Sequence, residues 1–393
     1  MKVTRASGII MVLGILLAGC QPAATLTAQP TAIPPTAVPP TAQATSQIPT
    51  ATLLAATEVP PTVTLQPSPT ISLAAVPTAT PLPPGGLPDV SAGVYLDDLS
   101  TPAALMLSYV NAINRHEYLR AYSYWDSPSD YIGSLDNFTN GLANTTSEAI
   151  TFGLITSDGA AGSMYYTVPA VLVDTLGNGS TSRFSSCFIL RLPQPANFGA
   201  PPISPMMIER GVKTAISPST SNATALGSAC TGANYPLGAN PVPAVVESLS
   251  DLSNNNYIDN RSGPEELISS LLNSLNRKEY VRAYSYWQNP SSSVGSYTSY
   301  AAGFSNTGVV TATFGIPTSD VGAGQRYYYV PLGMKVTTTS NGQQTFVGCY
   351  TMHLGNPGMQ ATLPFQPLGI TAGKFKLVSN TVDVTPLLAT ACN

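Results

Sequence analysis

The chain has 393 residues, a length that accommodates two or three domains. Only 9% of them are charged, against about a quarter in average soluble domains, and the net charge is −4. This balance excludes the basic surface that nucleic-acid binding requires. The 36 prolines and 32 glycines promise long stretches without regular structure.

Lys2 and Arg5 precede an apolar run from Gly8 to Leu17 that is too short to span a bilayer comfortably. Leu17-Ala18-Gly19-Cys20 follows. It resembles the lipobox of bacterial lipoprotein signal peptides. The resemblance implies that residues 1–20 are the signal region and that Cys20 is diacylated and becomes the mature N-terminus. The alternatives are an ordinary secretory signal with an incidental Cys, or an uncleaved anchor helix. Two or three acyl chains satisfy the requirement for stable anchoring. The expected address is extracytoplasmic, on a lipid anchor, at the cell surface or in a periplasm. Loss of Lys2 and Arg5 lowers the 16 basic residues to 14, against 20 acids, so no polybasic segment assists the lipid.

Residues 21–88 read as a disordered tether. Pro30-Thr31-Ala32, Pro35-Thr36-Ala37 and Pro40-Thr41-Ala42 recur, and Glu58 is the only charge between Gln21 and Pro88. Such a segment cannot bury a core. In polyproline II, at roughly 3.1 Å per residue, it reaches on the order of 200 Å, enough to lift a folded part off a membrane.

From Tyr95 onward the chain repeats itself. Arg115-His116-Glu117-Tyr118-Leu119-Arg120-Ala121-Tyr122-Ser123-Tyr124-Trp125 returns as Arg277-Lys278-Glu279-Tyr280-Val281-Arg282-Ala283-Tyr284-Ser285-Tyr286-Trp287, 162 residues later. The offset holds without a gap from Tyr95/Tyr257 to Cys230/Cys392, and about 40 of the 98 positions over 95–192 are identical. We read domain 1 as residues 89–235, a linker as 236–256 and domain 2 as 257–393.

Within each copy the first predicted helix opens at Ser100 or Thr101 with Pro102 in its first turn. Its counterpart, Ser262-Gly263-Pro264-Glu265, has capping-box spacing. Met106, Tyr109, Val110 and Ile113, and likewise Ile268, Leu271, Leu272 and Leu275, mark one helix face. The second helix is the repeated motif. Tyr118, Ala121, Tyr122 and Trp125 form its stripe, as do Tyr280, Ala283, Tyr284 and Trp287, with Arg120 and Arg282 off that face. A third helix follows Ser134 or Ser296. Strands are expected over 149–156 and 310–318, then from Tyr165-Tyr166 and Tyr327-Tyr328 onward. The hairpin signals Asn178-Gly179 and Asn341-Gly342 are offset by one residue between copies, which predicts a local difference in register. Return strands run over 184–192 and 346–354, and last strands lie near 211–217 and 374–378.

Helices followed by an antiparallel sheet indicate an α+β domain. This order, with the motif of the second helix, resembles the NTF2-like (SnoaL-like) superfamily over about 95–230 and 257–392. The resemblance implies two tandem cones, each a curved sheet wrapped on N-terminal helices. It also implies that domains pair through sheet faces, so that one chain forms an internal pseudo-dimer and stays monomeric. The aromatic stripe is then either core packing or the lining of a pocket, with Tyr118, Tyr122, Trp125 and Tyr166 in the first cone and Tyr280, Tyr284, Trp287 and Tyr328 in the second.

Cys187, Cys230, Cys349 and Cys392 allow three pairings. The repeat selects Cys187–Cys230 and Cys349–Cys392, which have the same separation, and an exported compartment permits disulfides. A metal site would need closer spacing.

No catalytic constellation, cofactor motif or metal cluster is visible in the sequence. His116 and His353 match Lys278 and Arg191 and read as surface residues. The repeated acids are Asp97/Asp259 before the first helix, Glu117/Glu279 at the start of the second and Asp158/Asp320 in a turn. The leading expectation is a non-catalytic envelope protein that binds a small neutral ligand or an envelope protein partner. The alternatives are an extracytoplasmic isomerase- or dehydratase-like enzyme, and a structural or adhesive surface protein.

Overall fold

The computed structural model describes residues 87–232, 234–244, 252 and 255–393. The signal region with Cys20 and all of the tether up to residue 86 lie outside the described residues, as does most of 245–254. The described residues belong to one compact unit, Ala75–Asn393.

The architecture is α+β, with two antiparallel sheets that each carry their own helices. The first repeat runs α1 (Pro102–Asn114), α2 (Tyr118–Ser123), α3 (Pro128–Tyr131), α4 (Leu135–Leu142), β1 (Thr145–Phe152), β2 (Ile155–Ala160), β3 (Ser163–Leu176), β4 (Thr181–Pro193), β5 (Met207–Ala215) and α5 (Asn222–Ala229). A short β6 (Asn240–Val242) then pairs with β2, so the stretch read as linker adds a strand to the first sheet. The second repeat runs α6 (Pro264–Asn276), α7 (Tyr280–Ser285), α8 (Pro290–Ser293), α9 (Tyr297–Gly303), β7 (Thr307–Phe314), β8 (Thr318–Gly322), β9 (Gln325–Thr338), β10 (Gln343–Gly355), β11 (Gly369–Val378) and α10 (Thr385–Leu388).

Thr101 caps α1 through its hydroxyl, which accepts from Ala104 N at 3.1 Å. The expected capping box in the second repeat does not form. Gly263 is the N-cap, and the Ser262 hydroxyl is used elsewhere, accepting from Asp97 N at 2.8 Å. Every residue of α1 is buried, not only the face marked by periodicity. Its polar side is covered by the segment preceding it. Asn111 accepts from Leu96 N at 3.0 Å and donates to Ser91 and Val94 carbonyls, while Ser108 accepts from Asp98 N at 2.8 Å. A helix buried all round survives only with such satisfaction.

The strand expected over 149–156 is two strands. β1 pairs with the C-terminal half of β3, from Thr145↔Leu176 to Phe152↔Ala170, and β2 with its N-terminal half, from Thr156↔Thr167 to Ala160↔Ser163. The break falls at Gly153, opposite Pro169, which has no N–H to give; Gly153 N instead donates to the Pro169 carbonyl at 2.8 Å. Asp158 and Asp320 lie on β2 and β8 rather than in a turn, and the turns are the residues after, Ala161-Gly162 and Ala323-Gly324, all at positive φ. The β3–β4 and β9–β10 hairpins share one register, Thr175↔Thr181 and Thr337↔Gln343, contrary to the expected difference. The left-handed residue is at the same place in both, Gly179 (φ 81°) and Asn341 (φ 61°); only its residue type moved the sequence signal.

One face of each sheet packs on its helices and forms the core. The other face is covered locally. Cys187 on β4 is joined to Cys230 at the end of α5, and Cys349 on β10 to Cys392 after α10, as the repeat predicted. Val347, Val384 and Leu388 form a small cluster there in the second repeat.

The two repeats meet through the segments before α1 and α6. Leu99 N donates to Asp259 O and Arg261 N to Asp97 O, both at 2.7 Å; Asp259 N donates to Ser100 Oγ at 2.9 Å, matching the bond from Asp97 N to Ser262 Oγ. Each bond in one direction has its counterpart in the other, the signature of a two-fold contact. Asp98 and Asn260 stand opposite each other in this ladder. The strands of one sheet pair with none of the other.

Candidate functional site

The repeated motif builds the floor of the site. Arg115 ends α1 and His116 adopts φ 56°, so that His116 N donates to Ile113 O and Glu117 N to Ala112 O, both at 2.9 Å. This is a Schellman turn with a non-glycine residue in the left-handed position. Lys278 repeats it at φ 61°. His116 is exposed, which explains why its mate is a lysine.

The turn aims the next side chains inward. Arg120, expected off the packed face, is fully buried. Its Nε donates to Glu117 Oε2 at 2.7 Å, its Nη1 to the Leu96 carbonyl and to Tyr124 Oη, and its Nη2 to Asn111 Oδ1 at 3.0 Å. It lies over the Tyr95 ring at 4.6 Å. Tyr124 Oη then donates to Asp97 Oδ1 at 2.8 Å, and Tyr95 Oη to Oδ2 at 3.2 Å. Burial pushes the Asp97 carboxyl above its ordinary range, opposed by Arg120 and Arg261. The second repeat reproduces the network with Arg282, Glu279, Tyr286, Asn273, Tyr257 and Asp259. Glu117 and Glu279 are therefore partners of buried guanidinium groups as well as helix-start residues.

The expected pocket aromatics disperse. Trp125 lies past α2, where Tyr124–Asp126 form a bridge with Ile208 of β5. Its ring crosses β5 at Gly211, where a Cβ would sit 3.0 Å from Cη2; Gly373 plays the same part for Trp287. Tyr122 is buried and donates to Gly133 O at 2.9 Å, and Tyr284 to Gly295 O at 2.8 Å. Tyr118 and Tyr280 are half-buried, bonded to His116 Nδ1 and to Phe304 O. Tyr166 and Tyr328 are half-buried residues of β3 and β9 at the edges of the two cores. Of these eight, Tyr122 and Trp125 line an open cleft of 560 Å³.

That cleft lies between the repeats. Its walls are the proline loops before β5 and β11, with Ile203, Pro205, Leu363, Pro364, Phe365 and Pro367. Its floor is Asp97, Leu99, Tyr124 and Arg261, the residues of the inter-repeat ladder and the motif. Size, apolar walls and a few polar groups at the base are the features of a small-molecule site.

A second polar cluster escaped the sequence reading. Glu148 of β1 and Asp174 of β3 are direct cross-strand partners on the core-facing side. Lys213 Nζ of β5 lies 2.9 Å from Glu148 Oε2 and 2.9 Å from Asp174 Oδ2, and sits over the Phe184 ring at 4.3 Å. Burial pushes the Glu148 carboxyl up to about 7; Lys213 pulls it down and Asp174 pushes it up. Glu148 Oε1 and the Ser186 hydroxyl are buried without a hydrogen-bond partner among the described residues. The second repeat has Val310, Val336, Phe375 and Gly348 at these positions. Gly348 there leaves room for the Phe375 ring, 2.6 Å from where its Cβ would be. The sequence signal is a departure from the repeat: Glu148, Asp174 and Lys213 have no charged mate in the second copy. His353 is half-buried rather than a plain surface residue, with its ring between Gln288 and Gln325.

Among the described residues no three His, Cys, Asp or Glu side chains form a metal-binding group, and no helix is long and apolar enough to cross a membrane. The two disulfides fit an oxidising, extracytoplasmic environment. No known protein family, curated protein or solved structure matches the chain.

Proposed function

We propose that this chain is a lipid-anchored, non-catalytic envelope protein of two tandem NTF2-like domains that binds a small, largely apolar ligand between its repeats. The lipobox-like Leu17-Ala18-Gly19-Cys20 supports the anchor. The break of β1 and β2 on one long β3, with helices on the inner face, supports the cone reading. The observation that carries the binding role is the 560 Å³ cleft walled by both proline loops. The neutral dye Nile red should brighten on the full chain, and Met207→Trp, which fills the cleft, should abolish the effect. Equal brightening with the variant would remove the cleft as the site.

A second reading, an extracytoplasmic enzyme working in the first repeat, is favoured by Glu148 alone: a buried carboxyl with a pKa of about 7 beside an ammonium is suited to proton transfer. Turnover of an enolisable ketone that is lost in Glu148→Gln would support it; no turnover by the unaltered chain across such a panel would refute it.

A further inference from the structure

The cleft floor is built by a two-fold arrangement, yet one of its residues breaks the symmetry. Position 99 of the first repeat is Leu, and the equivalent position of the second is Arg261. Arg261 lines the cleft with a side chain only 13% exposed. Its guanidinium is held over the Tyr286 ring at 4.9 Å, and Nε reaches Asp259 Oδ1 at 3.5 Å. The two terminal nitrogens donate to no atom of the described residues. Neither nitrogen is enclosed without a partner, so the fork meets solvent at the cleft, unlike the fully enclosed guanidinium groups of Arg120 and Arg282.

The charges around it point the same way. In the first repeat Asp97 and Glu117 are matched by Arg115 and Arg120, and in the second Asp259 and Glu279 by Arg277 and Arg282. Each buried quartet is neutral by itself, and Arg261 is a further cation at the base of the cleft, offset by the buried Asp98 and ion-paired through Nε with Asp259 at 3.5 Å, so that its terminal nitrogens are what it offers to the cleft. The nearby Asp98, whose mate is Asn260, accepts from Ser100 N at 2.9 Å.

Resting on the reading of the cleft as a ligand site, we infer that its ligand carries a carboxylate on an apolar body, with the carboxylate taken by the terminal nitrogens of Arg261. Two parallel N–H donors match the two oxygens of a carboxylate, and a guanidinium gives up its hydration more easily than an ammonium. The proline walls take the apolar body. Sequence composition pointed to a neutral ligand because it could not show that one arginine of the inter-repeat ladder has donors to spare. A free fatty acid and the C-terminus of an apolar peptide both offer this chemistry.

Calorimetry of the full chain at neutral pH tests the inference with matched pairs: octanoate against octan-1-ol, and acetyl-Ala-Pro-Leu-Phe against its C-terminal amide. In at least one pair the carboxylate should bind tenfold or more tightly, and the pair that shows it identifies the source. Arg261→Leu should bring the ratio near one. Leu99 already occupies the equivalent position, so the variant is compatible with the fold, and retained Nile red binding verifies the cleft. Arg261→Lys should keep part of the preference. Equal binding within both pairs, or a ratio that Arg261→Leu leaves intact, overturns the carboxylate while leaving the cleft standing. If neither the probes nor Nile red bind, the cleft itself falls.

Discussion

Glu148 and Asp174 face each other across β1 and β3, and Lys213 holds one oxygen of each at 2.9 Å. Three charged groups thus replace the Val310, Val336 and Phe375 with which the second repeat builds the same place. Two carboxylates and one ammonium leave an excess negative charge in a desolvated site. Burial above all, with Asp174 adding to it and Lys213 opposing it, raises the Glu148 carboxyl to about 7. A carboxyl with a raised folded pKa stabilises the fold when protonated. Its contribution is full below the ordinary value of 4.5 and is lost as pH rises through about 7. Lys213, raised from its ordinary value chiefly by Glu148 and Asp174 against the effect of burial, stays charged across this window. Urea unfolding should therefore show stability falling between pH 4.5 and 7.5, by on the order of 2–3 kcal/mol. Glu148→Gln should flatten that slope. A slope unchanged in the variant would assign it elsewhere.

Much of this architecture could be read before the structure. The repeat revealed two copies, the disulfide pairing and most strands, because an offset that never breaks transfers each inference from one copy to the other. Periodicity failed at Arg120, since it reports which face of a helix is apolar and not what a distant segment lays over the other face. In this fold residues 95–99 cover α2 and supply Tyr95, Leu96 and Asp97 to the guanidinium. It failed again at Gly153, where strand-forming residues continue but the partner half of β3 changes. Tyr122, Trp125 and Asp97 of the cleft are legible in the repeat, but its unrepeated residues are not, for the opposite reason. Glu148, Lys213 and Arg261 are each unmatched in the other copy, and a search for shared features passes over them.

Arg120 should be among the residues least tolerant of change. Its guanidinium bonds to Glu117, Tyr124, Asn111 and the Leu96 carbonyl with no solvent contact. Arg120→Met removes the charge and leaves Glu117 buried with Arg115 as its remaining ion-pair partner. A loss of about 3–5 kcal/mol is expected in denaturant unfolding. The double variant Glu117→Leu/Arg120→Met should recover part of it, because the buried Glu117 carboxylate is then no longer left without Arg120, while Asp97 keeps Arg261 as a counter-charge. A loss below about 1 kcal/mol for the single variant would contradict the network.

The disulfides give a separable prediction. Each closes a segment with a sequence separation of 43 residues and fixes the cover of the outer sheet face. The chain-entropy relation assigns about 4 kcal/mol to such a loop. Non-reducing peptide mapping should return only Cys187 with Cys230 and Cys349 with Cys392. Replacing one pair by Ala should lower stability by roughly that amount.

The proposed lipid anchor depends on Cys20. Cys20→Ser should abolish acyl labelling and move the protein from the membrane to the soluble or unprocessed fraction. Membrane retention with label still present would refute the lipobox reading.

The last prediction concerns the ladder between the repeats. Its bonds are reciprocal, Leu99 to Asp259 and Arg261 to Asp97, so the same segment can in principle meet a copy of itself. The full ectodomain should be monomeric, its two edges satisfied internally, and each half expressed alone should dimerise. The halves should not do so equally. A dimer of residues 87–244 sets Asp98 against a second Asp98, where the whole chain sets it against Asn260. Asp98 is already raised to about 6 by burial, with Asp259 and Asp97 adding to the effect. Two such carboxyls would repel above that pH. A dimer of residues 255–393 sets Asn260 against Asn260 and carries no such penalty. Light scattering should find the second half dimeric at neutral and acid pH, and the first half dimeric mainly below pH 6. Asp98→Asn should make the first half behave like the second. If both halves stay monomeric at every pH, the ladder forms only because the chain holds its two edges together.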